Sequence, residues 1–227
     1  MKAIFGDVPI GAVLLDMDGT LLDTEPVYAG AMLSALASLG YAVPEPMVRA
    51  MVGLPGAECI AMLKAHFGGA FDVKHFHGTY IVHRDERLLA GIPLKSGVLE
   101  LLDHLTDLGL PSAVATSASR SNAEANLTRT GLRNRFEYVF TRDDVARGKP
   151  DPALFLRAAE AVGVPPAACL AVEDSHVGVR AAHAAGTVPI MVPDLLEATP
   201  EIAELCAAVL EDLHELRALL RPREVVA

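Results

Sequence analysis

The 227-residue chain has little cysteine, little positive charge and no apolar run long enough to span a bilayer. Its three cysteines, Cys59, Cys169 and Cys206, are odd in number and widely spaced. That excludes a disulfide framework and a paired CxxC zinc site, and it points to a reducing compartment. Lysine and arginine total 19 against 29 acidic residues, a formal net charge of −10. Nucleic acids and anionic membranes attract basic surfaces, so neither is an expected partner. A small anionic substrate stays compatible, because local charge decides its binding. Lys2 and the apolar residues after it hint at a signal peptide, but Asp7, Pro9 and Asp16 interrupt them and no cleavage pattern follows. Internal repeats and low-complexity segments are also missing. The expectation is a cytoplasmic enzyme.

What the chain has is apolar residues, 52% of the total, enough for one large domain or a core with an insertion. Four short runs that include β-branched residues, at 11–15, 112–116, 168–172 and 188–192, read as buried parallel strands. Residues 138–141 and 207–210 are weaker candidates. Helical patterns at 98–108, 119–130, 152–162 and 175–185 lie between them. Such alternation implies βαβ units, hence an α/β fold with a Rossmann-like parallel sheet covered on both faces. Asp151-Pro152 reads as an N-cap followed by proline at the first helical position, and Gly131, Gly163 and Gly186 as helix stops. Residues 28–39, 45–51, 57–67 and 73–89 are helical in period, with no convincing strand among them. The economical division is a discontinuous core, residues 1–23 and 93–227, with a helical cap, residues 24–92, inserted after the first strand. Gly91 and Pro93 fall where hinges are needed.

Ligands of open parallel sheets gather beyond the carboxyl ends of the strands. The residues just past the strands are Asp16 and Asp18, Thr116 and Ser117, then Glu173 and Asp174, with Lys149 in a loop before a helix. Clustered carboxylates repel one another, and one lysine is too little counter-charge. A hard divalent cation with oxygen ligands resolves this, and Mg²⁺ is the usual partner of carboxylates plus phosphate. The expected site therefore holds Mg²⁺ and a phosphate, the latter gripped by Thr116, Lys149 and loop amides around Gly19. In the Asp-x-Asp spacing, Asp16 can attack phosphorus while Asp18 trades a proton with the reacting oxygen.

The stretches "DMDGTLLDTEP", "VATSAS", "GKPDP" and "VEDSHVGVRAAHAAG" resemble, in order and spacing, the four motifs of the haloacid dehalogenase superfamily. The subgroup they resemble has a helical cap after the first strand and includes β-phosphoglucomutase and many small-metabolite phosphatases. The resemblance covers nearly the whole chain. It implies Asp16 as the nucleophile that becomes an aspartyl phosphate and Asp18 as general acid/base, its backbone carbonyl also a metal ligand. It implies Thr116 and Lys149 as phosphate holders, Asp174 as the metal-binding acid and Glu173 as a supporting or second ligand. The dehalogenases themselves lack the second aspartate, so Asp18 argues for phosphorus chemistry.

Two departures bear on the reaction. β-Phosphoglucomutases carry an arginine shortly after a cap glycine; here Gly53 fits the glycine but Gly56 falls at the arginine. Tyr28 stands where those mutases have a histidine. Both favour hydrolysis of a small phosphorylated metabolite, such as a sugar phosphate, over the phosphomutase alternative. A receiver-type phosphorylation switch shares the acids, hydroxyl and lysine, but it is about half this length and has no insertion. Residues 53–58 and Arg120 are candidate substrate readers. His75, His77 and His83 read as a solvated face, and His176 as a first-turn helix residue near the site. Monomer and dimer both remain open.

Overall fold

The computed structural model describes residues 3–51 and 56–222. Among the described residues the strands are β1 (Ala3–Phe5), β2 (Val8–Ile10), β3 (Ala12–Leu15), β4 (Ser112–Ala115), β5 (Tyr138–Phe140), β6 (Cys169–Glu173), β7 (Val188–Met191), β8 (Ala208–Val209) and β9 (Leu220–Pro222). The helices are α1 (Glu25–Ser38), α2 (Glu45–Met51), α3 (Gly56–Phe67), α4 (Val73–Ala90), α5 (Val98–Asp107), α6 (Arg120–Arg129), α7 (Ala153–Ala161), α8 (His176–Ala184), α9 (Pro200–Ala203) and α10 (Leu213–Leu219). Among the described residues no helix is long and apolar enough to cross a membrane.

The chain divides into two compact units, Met1–Asp23 with Pro93–Ala227, and Thr24–Ile92. The first is built on a six-stranded sheet of order β5-β4-β3-β6-β7-β8, parallel throughout. Strands buried on both faces need side chains that want no water on either, and all residues of β3 and β6 are buried. One face is built from small residues. Ala12, Ala113, Ala115, Cys169 and Ala171 meet Ala158 and Ala159 of α7 and Ala181 and Ala182 of α8, with Leu14, Leu154 and Phe155 filling the larger gaps. Buried Val98, Leu101, Leu102 and Leu105 give α5 the i, i+3, i+4, i+7 stripe of a helix laid on a core.

Differences from the sequence reading are local. Pro152, not Asp151, is the N-cap of α7, and Asp151 Oδ1 accepts from the Ala153 N–H at 3.1 Å. The carboxylate still satisfies a first-turn donor, from one position earlier. The N-terminal residues form an element that strand periodicity did not reveal. β1 and β2 make a hairpin with the two-residue turn Gly6-Asp7, and β9 pairs on the far side of β1. Each strand has three residues, too few for alternation to register; glycine at the first turn position was the available signal.

The second unit is helical. Its core gathers Ala35, Leu36, Met51, Cys59, Leu63, Phe71 and Phe76. Tyr41, Phe67 and Phe71 add ring contacts at centroid distances of 4.9 to 6.0 Å, a large apolar area in a small unit.

Gly97 shows how tightly the sheet unit is closed. It caps α5 at φ 84°, and a Cβ there would lie 2.6 Å from the His214 backbone nitrogen and 2.9 Å from the Leu213 carbonyl carbon. Gly97→Ala is expected to cost about 2 kcal/mol or more, since it meets both backbone strain and backbone atoms that cannot rotate away. Urea unfolding midpoints measure it.

Candidate active site

Strand order places the site. β3 pairs with β4 on one side and β6 on the other, so the winding reverses at β3 and a crevice opens beyond the strand ends. The register sets Leu15 beside Val172, and the Asp16 N–H donates to the Val172 carbonyl at 3.0 Å. Asp16 and Glu173 thus leave adjacent strands side by side. Asp174 follows directly, and oxygens of Asp16, Glu173 and Asp174 all lie within 4.8 Å of one another.

Lys149 enters this cluster from the loop ahead of α7. Its ammonium donates to both Asp16 Oδ1 and Glu173 Oε1. Its side chain is 2% exposed, and its Nζ lies 5.0 Å from the centroid of the Phe155 ring. Burial works against the charge on Lys149, but Asp16 and Glu173 outweigh it and hold the group above its ordinary range. The carboxylates show the remaining imbalance. Burial first, then the charges of Glu173 and Asp16, push Asp174 up to about 9; burial, with Asp16 adding to it, pushes Glu173 up to about 7 against the pull of Lys149. One ammonium does not neutralise three acids in a dry site, and the excess appears as protons retained on carboxyl groups. A donor set of hard carboxylate oxygens with surplus negative charge suits a divalent cation.

The Gly19 N–H donates to the Leu22 carbonyl at 2.8 Å. At φ 88°, Gly19 lets the loop press against Asp174: a Cβ there would sit 2.3 Å from Asp174 Oδ2. Thr20 Oγ1 also donates to Asp174 Oδ1, at 3.4 Å. Asp18, between Asp16 and Thr20, is half-buried.

Thr116 is buried just past β4, its N–H on the Phe140 carbonyl. Its hydroxyl oxygen accepts from the Ala118 N–H at 3.0 Å, leaving the O–H to donate. Ser117 is exposed. Among the described residues neither hydroxyl bonds to the carboxylate cluster; strand order brings them to the same sheet edge, one strand over. The Arg120 guanidinium is committed to Asp144, Glu124 and the Val139 carbonyl, so it is not a free substrate reader. Residues 53–55 lie outside the described residues, and Gly56 is exposed at the start of α3. His75 and His77 are exposed, and His176 Nε2 pairs with the Glu197 carbonyl at 2.9 Å.

Two further residues shape the site. Ser175 caps α8 by accepting from the Gly178 N–H at 3.1 Å while its hydroxyl donates to Glu173 Oε2 at 3.0 Å. Gly178 leaves room for that carboxylate, since a Cβ there would fall 1.9 Å from the Glu173 carboxyl carbon. A glycine three residues into a helix costs about 1 kcal/mol against alanine, and that cost was the signal in the sequence.

Gly178→Ala is therefore expected to displace Glu173 and with it Lys149, reducing turnover far more than the helix gains in propensity; activity beside the unfolding midpoint separates the two. The carboxyl groups give a pH prediction. Asp174 and Glu173 stand above their ordinary values of 3.8 and 4.5, so folding takes up protons. Their contribution to stability is full below about 4 and declines as pH rises to about 9. The thermal midpoint of metal-free protein should fall over that window, less steeply in Asp174→Asn, and divalent cation should restore it.

A family model for haloacid dehalogenase-like hydrolases matches residues 10–186. Protein CbbY of Rhodobacter capsulatus is 34% identical over 222 residues, 90% of this chain and 98% of its own. A phosphorylated carbohydrates phosphatase of Thermotoga maritima is 33% identical over 177 residues, 77% of this chain and 81% of its own. Among solved structures, CbbY of Rhodobacter sphaeroides in complex with phosphate superposes with a TM-score of 0.72 at 30% identity, covering 91% of this chain and 96% of that one. A mutant of the same protein, in complex with xylulose-(1,5)bisphosphate, gives 0.71 at the same identity and coverage.

Proposed function

The chain belongs to the haloacid dehalogenase-like hydrolase family, in its β-phosphoglucomutase-like branch, and we propose that it is a Mg²⁺-dependent phosphatase acting on a small sugar phosphate through an aspartyl-phosphate intermediate. The observation that carries this reading is the buried Lys149 ammonium between Asp16 and Glu173, beside Asp174, at the reversal point of the sheet.

Asp16 is the nucleophile. Its carboxylate attacks phosphorus, and the bond to the leaving oxygen breaks as Asp18 delivers a proton to it. Asp18, now ionised, takes a proton from water; that water attacks the aspartyl phosphate, releasing inorganic phosphate and restoring Asp16. Thr116 and Lys149 hold the non-bridging oxygens through both steps. Asp16, Asp174 and the Asp18 backbone carbonyl are the residues that would hold Mg²⁺, which when bound supplies Lewis-acid stabilisation of charge on the phosphoryl oxygens. Glu173 accepts from Lys149 and Ser175, so it orients Lys149, and with Asp16 and Asp174 in reach it is a supporting or second ligand. Substrate selection is assigned to the helical unit, residues 24–92, as the cap.

Hydrolysis is preferred over phosphoryl transfer between sugars because Gly56 offers no side chain to grip a second phosphate. The relatives named for phosphorylated carbohydrates and crystallised with xylulose-(1,5)bisphosphate favour sugar phosphates as the class to test.

With Mg²⁺ and a panel of sugar phosphates, many phosphates should be released per protein, and a chelator should stop the reaction. Asp16→Asn should be inactive and Asp18→Asn slower by about 10²- to 10⁴-fold. Turnover by Asp16→Asn would remove the nucleophile assignment. Conversion of β-glucose 1-phosphate, primed with its bisphosphate, to glucose 6-phosphate without phosphate release would replace hydrolase by mutase.

A further inference from the structure

Arg120 opens α6 a short way past Thr116, where a cation facing the substrate would be expected. Its contacts run along the sheet edge instead. Nη2 donates to Asp144 Oδ2 at 2.5 Å, and Nη1 to the Val139 carbonyl at 2.8 Å and to Glu124 Oε1 at 3.3 Å. The Arg120 backbone N–H donates to Asp143 Oδ2 at 2.7 Å. From the opposite loop, the Arg142 N–H donates to the Ala118 carbonyl at 3.1 Å. Asp144 Oδ2 also accepts from the Thr141 N–H at 2.7 Å and the Thr141 hydroxyl at 2.8 Å. The loop after β4 and the loop after β5 are thereby cross-linked.

The first loop carries Thr116, whose hydroxyl is tied to Ala118. The second leads to Lys149. Its near end is fixed at Asp144, whose carbonyl also accepts from Arg157 Nη1 of α7 at 2.6 Å. Its far end runs into α7, where Phe155 sits against the ammonium. We propose that Arg120 and Asp144 form a positioning clamp that sets the spacing between the Thr116 hydroxyl and the Lys149 ammonium, so that a phosphate meets both donors already in place. This rests on the phosphate-holding role given to those two residues above. The side chains of Arg120 and Asp144 are 40% and 28% exposed, so as an ion pair they add little stability. Their effect is geometric. A displacement of about 1 Å at a binding group can cost on the order of 10²-fold, and a lysine at 120 could keep Asp144 but not the Val139 carbonyl as well.

The test measures inorganic phosphate affinity by calorimetry in Mg²⁺, together with kcat and KM on the best ester from the panel. Arg120→Ala is expected to weaken phosphate binding and raise KM by about tenfold each, with kcat within about threefold and partial recovery in Arg120→Lys. Asp144→Asn, which keeps an oxygen for Thr141, should show the same pattern and serves if Arg120→Ala fails to fold. In a Lys149→Met background, Arg120→Ala should add less than about twofold, because the spacing that the clamp sets then has no ammonium at one end. An equal loss in both backgrounds overturns the clamp. Unchanged phosphate affinity and KM in Arg120→Ala and Asp144→Asn, with binding weakened in Lys149→Met, also overturns it while the phosphate role of Lys149 stands. Unchanged binding in Lys149→Met removes that role, and the clamp with it.

Discussion

One ammonium group holds the arrangement together. Lys149 is a buried cation that pairs at once with Asp16 and Glu173 where they leave adjacent strands. Two acids at neighbouring strand ends in a dry crevice would otherwise repel or stay protonated. The lysine satisfies two of them and leaves Asp174 in surplus, so the site is short of positive charge by construction. That deficit is what a divalent cation can fill. The same logic explains why Phe155 matters: an aromatic face beside the ammonium excludes water without competing for its protons.

Small residues do the remaining work. Gly19 and Gly178 are separated by most of the chain, yet each clears space for one carboxylate, Asp174 in the first case and Glu173 in the second. The alanine-rich sheet face lets α7 and α8 approach closely, which fixes where the loops ahead of them deliver Lys149 and Ser175. Packing and electrostatics are therefore one design: the core determines how near the helices come, and that determines which charges meet.

Much of this was legible in the sequence because buried parallel strands must be apolar. The runs that become β3, β4, β6 and β7 stand out by composition, and reading at the ends of the first three gives Asp16, Thr116 and Glu173, which the strand order brings to one sheet edge. The helical unit was visible from its 3.6-residue period. What stayed hidden depends on contacts between distant residues. Nothing local to Arg120 says that Asp144 will take its guanidinium, and an exposed-looking arginine beside a strand end reads as a substrate contact. The sequence marks Gly19 as a place of close backbone approach, but that the group approached is the Asp174 carboxylate depends on residues far along the chain. The hairpin of β1 and β2 is hidden because three-residue strands are too short to show alternation, and β9, which pairs on its far side, lies at the other end of the chain.

The places where the chain leaves and re-enters the sheet unit are hydrogen-bonded to each other. Leu22 bridges Leu94 antiparallel, the Asp23 N–H donates to the Pro93 carbonyl, and the Lys95 N–H to the Leu21 carbonyl. Seen from the sheet, everything from residue 24 to residue 92 is a loop whose two stems are already zipped together. Such a junction can accept inserts of many lengths without disturbing the strands beneath, because the stems need not move to admit them. Exchanging the inserted unit would leave the strand ends beneath it in their places.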